Sequence, residues 1–224
     1  VPEPGPGEVR VRVAWSALNH LDTWVRRGVS GHRFPLPMTP GCDFSGTVEE
    51  VFPPPPPTPQ AIPYAQDFAA GQPGSADGWG YHAAGPGRTQ VASEALRMDS
   101  SVARSDALNE AVLYLDSSGQ ATGDAGEVVL TFSEREWGDE PHPMPAQFTG
   151  HHPSDGVAIS VDGGTTWHRV WSEDSTSAFR AHTVNLDELL ASLGLSYGPV
   201  LQVKFQQYDN FPVSYDGRAY DDIV

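Results

Sequence analysis

Five consecutive prolines, Pro53 to Pro57, with Pro59 and Pro63 close behind, interrupt this 224-residue chain. Such a run has no backbone N–H donors and favours an extended polyproline helix, so it separates what lies on either side. The two sides differ in charge. Residues 1–52 carry five Arg and six Asp+Glu, a net of -1; residues 53–224 carry eight Lys+Arg and 23 Asp+Glu, a net of -15. The expected division is a short segment over 1–52, a proline-rich linker over 53–63 and a larger domain over 64–224.

The acidity excludes a nucleic-acid partner, since phosphate binding needs clustered Lys and Arg. No stretch approaches about 20 apolar residues, so no membrane-inserted helix is predicted. Cys42 is the single cysteine and rules out an intrachain disulfide. The chain opens on Val1, and no signal-type segment is read in it. Oligomeric state has no sequence signal here.

In the first segment, Val9, Val11 and Val13 alternate with Arg10 and Arg12, predicting a strand. Residues 19–27 read as a short helix before Gly28, and 41–51 as a turn entering a second strand. The wording of Pro4-Gly5-Pro6-Gly7-Glu8-Val9, Ala17-Leu18-Asn19-His20-Leu21-Asp22, Arg26-Arg27-Gly28 and Pro40-Gly41-Cys42-Asp43-Phe44-Ser45-Gly46 resembles the opening of the medium-chain dehydrogenase/reductase family, which includes zinc alcohol dehydrogenases and quinone reductases. The resemblance implies a truncated GroES-like β segment. At the family's two catalytic zinc-ligand places stand Asn19, a poor ligand, and Cys42, with no third ligand. The family's nicotinamide site needs a Gly-rich βα turn. Gly78-Trp79-Gly80 and Gly85-Pro86-Gly87 do not sit in that context, so no nicotinamide cofactor is expected to bind and no catalytic residue is assigned.

Beyond the prolines, residues 112–115, 127–132, 157–161, 167–171 and 201–208 read as strands. In the last, Leu201, Val203 and Phe205 should point inward and Gln202, Lys204 and Gln206 outward. Residues 186–193 read as the one helix, opened by Asn185 or Asp187 and closed by Gly194. Many strands at regular spacing predict an all-β fold, a sandwich or jelly roll. Ser160-Val161-Asp162-Gly163-Gly164-Thr165-Thr166-Trp167 fits an Asp-box hairpin, with Asp162 bonding the turn and Gly163-Gly164 allowing positive φ.

Arg97-Met98-Asp99-Ser100-Ser101, Asn109-Glu110-Ala111-Val112, Phe205-Gln206-Gln207-Tyr208-Asp209-Asn210-Phe211-Pro212 and Ala219-Tyr220-Asp221-Asp222-Ile223 together resemble MAM-like jelly-roll modules of secreted or surface-attached bacterial proteins, without the cysteines of the animal subtype. That resemblance covers 64–224. It implies a concanavalin-like β-sandwich, non-catalytic, secreted or at the cell surface, serving adhesion or recognition of a protein or glycan ligand. The alternative is a fragment of an NAD(P)-dependent medium-chain oxidoreductase, which would place the protein in the cytoplasm.

Three candidate sites follow. Asp67, Asp221 and Asp222, with Asp99 as an additional ligand, are candidates for a structural Ca²⁺, which takes six to eight oxygens. Opening and closing strands of such a module lie side by side, which would bring these acids together. The loop 136–155 holds Asp139, Glu140, His142, His151, His152 and Asp155, suited to a transition metal or acid–base chemistry, though the adjacency of His151 and His152 is not a helical zinc spacing. Aromatic residues Trp79, Tyr81, Tyr208, Phe211 and Tyr215, with Asp209, sit near turns where they could stack on a ligand.

Overall fold

A computed structural model describes residues 4–5, 7–17, 25, 27, 43–52, 54–102, 105–121, 127–172, 176–210 and 216–224. The chain divides into two compact units, Val1–Pro55 and Pro56–Val224.

The first unit contains β1 (Val9–Ala17) and β2 (Asp43–Val51), paired antiparallel from Val9–Val51 to Ala17–Asp43. Opposite charges face each other across the pair: Arg10 bonds Glu50 at 2.8 Å and Arg12 bonds Glu49 at 2.6 Å. Gly46 lets β1 approach, because a Cβ there would lie 2.3 Å from the Arg12 carbonyl oxygen. The ladder shifts register on either side of Val11–Val13, so the alternation expected for β1 is broken by irregularities. The helix expected over 19–27 and the candidate positions Asn19 and Cys42 lie outside the described residues.

The second unit is mostly β. Its first sheet runs in the order β3 (Gln60–Ala61), β7 (Ala107–Asp116), β13 (Val200–Asp209), β10 (Gly156–Ser160), β11 (Thr166–Trp171), β9 (Gln147–Thr149), and β4 (Trp79–Ala84) also pairs with β7. Its second sheet runs β12 (Arg180–Asn185), β8 (Val129–Trp137), β14 (Gly217–Asp221), β6 (Ala95–Ser100), β5 (Gly87–Ala92). All pairings are antiparallel except that of β3 with β7.

One hydrophobic cluster draws on both sheets. Trp79, Leu113, Val157, Ile159, Leu201, Val203 and Phe205 come from the first, and Leu96, Met98, Leu130, Phe132 and Tyr220 from the second. Period-2 alternation causes this, since every second residue of each strand turns to the same face. Burying each large side chain contributes roughly 2 kcal/mol. Phe132 meets Phe205 edge-on at 6.0 Å, and Phe205 lies 5.1 Å from Tyr220. Trp79, expected at a turn and available to a ligand, is instead 1% exposed within this core, its Nε1 donating to the Tyr64 hydroxyl at 2.8 Å.

The helix α1 (Leu186–Leu193) forms where its capping residues predict it. Asn185 Oδ1 accepts from Glu188 N at 3.1 Å, and Gly194 ends the helix with φ 68°. Leu186 and Leu190, one turn apart, enter the core.

The stretch 53–63 is not a linker throughout. Thr58 N donates to Ser75 O at 2.8 Å, and Gln60 and Ala61 form β3. Proline lacks a donor, but Thr58, Gln60 and Ala61 keep theirs, so the chain joins the sheet as soon as the five-proline run ends. Ile62 and Tyr64 then pack against the core.

The expected outward face of β13 is covered. Gln202, Lys204 and Gln206 are 6%, 2% and 0% exposed. Segment 142–155 lies over them and brings Met144 and Phe148 into a second, smaller cluster with Ala158 and Trp167. The alternation assigns the two faces correctly; it does not reveal that a later segment screens the second one from water.

Candidate functional site

Register places the principal cluster. His82 of β4 stands opposite Glu110 of β7, and Glu110 stands opposite Gln206 of β13. One step along, Gly80, Val112 and Lys204 share a row on the same strands. Same-face neighbours in adjacent strands lie close enough for direct contact. Lys204 Nζ therefore reaches diagonally to Glu110 Oε1, at 2.8 Å.

The covering loop completes the group. His151 Nδ1 lies 2.6 Å from Glu110 Oε2, and its ring stacks on His82 with centroids 3.9 Å apart and planes at 18°. Lys204 Nζ also donates to Gly150 O at 3.0 Å, tying the loop to the sheet beside His151. The ammonium sits 4.2 Å from the Trp167 ring centroid, a cation–π contact that partly replaces lost hydration. Burial nonetheless pushes the Lys204 ammonium down from its ordinary value, against the pull of Glu110. His82 is also pushed below 6.5, first by burial and then by His151, which keeps it a neutral imidazole at neutral pH.

These residues line an open cleft of about 320 Å³, together with Tyr81, Trp167 and Gln202. Gln202 is 6% exposed, and its Oε1 has no protein hydrogen-bond partner. His82, Glu110 and His151 each bring a ligand atom within 4.8 Å of the others, the single such group of three His, Cys, Asp or Glu among the described residues. The cleft thus combines imidazole, carboxylate, ammonium, amide and aromatic surfaces.

A second polar cluster continues from one end of the hydrophobic core that the two sheets share. Along three strands the inward alternation continues past the apolar core with polar residues: Phe132 gives way to Glu134, Tyr220 to Arg218, and Phe205 to Gln207. Arg218 bonds Glu134 at 2.7 Å and Asp139 at 3.3 Å, and lies 3.7 Å from Asp155. Gln207 donates to Asp139 at 3.1 Å and accepts from Asn109 at 2.8 Å. Burial, and then the charge of Asp155, raise the Asp139 carboxyl to about 8 despite Arg218. Asp155 accepts from the backbone N–H groups of His142 and Tyr208, each at 2.8 Å. His142 Nδ1 lies 3.5 Å from Asp155, an ion-pair rather than a hydrogen-bond distance, and that carboxylate raises the imidazole's pKa against desolvation. Each member is spoken for by another, so this network braces loop 138–155 against the strands.

The loop expected as one site therefore serves two. His151 joins the cleft, whereas Asp139, His142 and Asp155 serve the interior network. His152 turns away from its neighbour to lie 5.6 Å from Phe148, and its carbonyl accepts from Gln206 at 2.7 Å.

Among the calcium candidates, the bridge between Gln66 and Ile223 brings opening and closing segments together. Asp67 and Asp222 are near enough to Asp221 to help raise its carboxyl, after burial. Two oxygens there already serve local structure: Asp67 Oδ1 accepts from Ala69 N at 3.1 Å, and Asp221 Oδ1 from Asp222 N at 2.8 Å. Asp222 adopts φ 48° and takes a bond from Ser133 at 3.2 Å. Asp99 does not join them. It stands opposite Gly217, at the far end of β14 from Asp221, and makes a two-pronged ion pair with Arg88 at 2.7 and 2.9 Å.

Of the aromatic candidates, Tyr208 packs edge-on against His142 at 4.9 Å and donates to Asp106 at 3.3 Å. Asp209, its neighbour, is fully buried, because successive strand residues point to opposite faces. Phe211 and Tyr215 lie outside the described residues. The Asp box forms the hairpin between β10 and β11: Asp162 Oδ1 accepts from Thr166 N at 2.9 Å and Ser160 Oγ at 2.8 Å, with Gly163 and Gly164 at φ 75° and 83°.

His82, Glu110 and Lys204 carry the cleft, and none was singled out from sequence. The available signal was one acid, Glu110, ahead of the closing Asp116 in Ala107–Asp116 and one base, Lys204, ahead of the closing Asp209 in Val200–Asp209, two otherwise charge-poor strands.

Comparison with known proteins bears on the other unit. The profile of the alcohol dehydrogenase GroES-like domain matches residues 5–72. Rat quinone oxidoreductase-like protein 2 is 50% identical over 51 residues, 22% of this chain and 15% of that protein. The rat synaptic vesicle membrane protein VAT-1 homolog is 44% identical over 50 residues, 22% of this chain and 12% of that protein, and the human one 40% over 50 residues, 22% and 13%. The chain thus spans less than one-sixth of the length of these relatives. No solved structure matches the chain. The profile match runs past Pro55 into residues that pair within the second unit, the segment of β3 and Gln66.

Proposed function

We propose that residues 1–55 are the opening of an NAD(P)-dependent oxidoreductase of the medium-chain type, the reading that the comparisons favour. The match of the GroES-like profile over 5–72 carries it. Val9, Val13, Trp15, Phe44 and Val48 of the β1–β2 pair are 51–78% exposed, which suits strands drawn from a larger barrel. Hydride transfer also needs a nicotinamide seated on a Gly-rich βα turn between parallel strands. The described residues of 56–224 form mainly antiparallel sheets and one eight-residue helix, and we read residues 1–55 as an oxidoreductase fragment. Titrating the full chain with NADPH and NADH by fluorescence tests this. Saturable binding, with turnover of a quinone, would make the protein an oxidoreductase in its own right and overturn the fragment reading.

For residues 56–224 a second reading has its own observation, the cleft of about 320 Å³ with Trp167, Tyr81, Lys204 and Gln202 at its walls. An aromatic face beside amide and charged groups is suited to stacking on and hydrogen-bonding a sugar or a peptide. We read this unit as a jelly-roll recognition module of the concanavalin-like kind, secreted or surface-attached, engaging a protein or glycan. Structural Ca²⁺ at Asp67, Asp221 and Asp222 belongs to this reading. Screening the full chain on a glycan array, with Trp167→Ala beside it, tests the ligand. Thermal unfolding with Ca²⁺ and then chelator tests the ion: a stabilisation lost in Asp222→Asn supports it, and no shift removes it.

A further inference from the structure

We propose that His82, Glu110 and His151 form a binding site for a divalent transition-metal ion of the zinc type, with two imidazoles and one carboxylate as ligands and a remaining coordination position open to the cleft. The site goes beyond either function proposed above.

Three features carry it. First, the ligand atoms of all three residues lie within 4.8 Å of one another, although the residues are 28 and 41 positions apart in sequence. Zinc holds imidazole nitrogen at about 2.0–2.1 Å and carboxylate oxygen at about 2.0–2.2 Å, so small rotations close the group on an ion. Both imidazoles are exposed and imidazole χ2 is a soft torsion, so the movement required is for the two rings to give up their mutual stacking and turn toward the ion.

Second, the carboxylate is pre-oriented. Lys204 holds Glu110 Oε1 at 2.8 Å, which aims Oε2 at the imidazoles. The same ammonium holds Gly150 O at 3.0 Å and so anchors the backbone that presents His151. Bonds of this kind, one shell out from a metal, fix ligand geometry.

Third, the ligand chemistry is selective. Two imidazoles and one carboxylate suit zinc and similar ions, whereas calcium and magnesium prefer oxygen alone. Three protein ligands leave a position for water or for a group of a ligand bound in the cleft. The Lys204 ammonium opposes a dication at short range, so the expected affinity is micromolar rather than nanomolar.

The test uses the full chain carrying Cys42→Ser, which removes its one thiol. Zn²⁺ is titrated in competition with a chromogenic chelator, and Co²⁺ is followed by its visible absorption. One ion per chain is expected, with affinity falling by more than about tenfold in His82→Ala and in His151→Ala, since even outer-shell substitutions cost that much. His152→Ala, one residue away but turned from the cleft, should retain it. Circular dichroism of each variant verifies that the sandwich is intact. An absence of binding, or loss in only one of the two ligand variants or in neither, overturns the site. Because metal is read directly, these outcomes are independent of whether a glycan, a peptide or a nicotinamide binds.

Discussion

Lys204 of β13 and Glu110 of β7 form an ion pair at 2.8 Å, each side chain 2% exposed, on the sheet face opposite the main core. Neither charge is stable there alone, because burial without a partner costs several kcal/mol. Lys204→Met should destabilise the second unit by about 3–5 kcal/mol by stranding Glu110. The double change Lys204→Met with Glu110→Leu should recover most of that loss. Urea unfolding of the two single variants and the double variant measures both effects, and equal instability of the double variant would show that the pair is not the source.

Asp139 should make stability depend on pH. Its folded value, about 8, lies above the ordinary carboxylate value of 3.8, so the native state holds a proton that the unfolded chain has released. Stability should therefore fall as pH rises from about 4 to 8 and level off beyond. Asp139→Asn should remove that part of the slope. His142 adds the same sign: its pKa is raised in the fold, so its contribution is present below 6.5 and is lost as pH rises through the folded value. Denaturant unfolding at pH 5, 7 and 9 of wild type, Asp139→Asn and His142→Ala tests the two contributions.

Asp162 holds the β10–β11 hairpin through its bonds from Thr166 N and Ser160 Oγ. Asp162→Ala should cost about 1 kcal/mol, the net worth of such bonds at an exposed turn. Asp162→Asn, which keeps an acceptor, should cost less. Thermal unfolding should rank wild type, Asn and Ala in that order, and a neutral Ala variant would show that Gly163 and Gly164 suffice.

Limited proteolysis of the full chain should cut within or before Pro53–Pro57 and leave a resistant fragment that begins near Thr58, where bonds to the rest of the second unit start. Equal resistance on both sides of the prolines would show that the first unit is as stable as the second.

Local chemistry was legible from sequence where it is self-contained. The helix Leu186–Leu193, its Asn185 cap and its Gly194 stop were readable because caps act within a few residues. The strands around Val112, Val157, Trp167 and Leu201 were readable because alternation needs no knowledge of the partner strand. The extent of the proline segment was less so, since β3 exists only when β7 accepts it.

The cleft was not legible, although all of its residues were in plain view. His82, Glu110 and His151 meet because β4 pairs with β7 in one register and because loop 138–155 folds back over that face. Alternation alone assigned Lys204 to solvent, and the covering loop reversed that.

By itself, then, the sequence determined the strand-rich character, the helix, the Asp-box turn and the dehydrogenase-like wording of the first unit, all of which are written in contiguous residues. Only the tertiary structure decided which charged residues became partners and which face of β13 went dry. The physical reason is that burial and pairing depend on strand register and loop closure between residues as far apart as Glu110 and Lys204, and no local pattern encodes them.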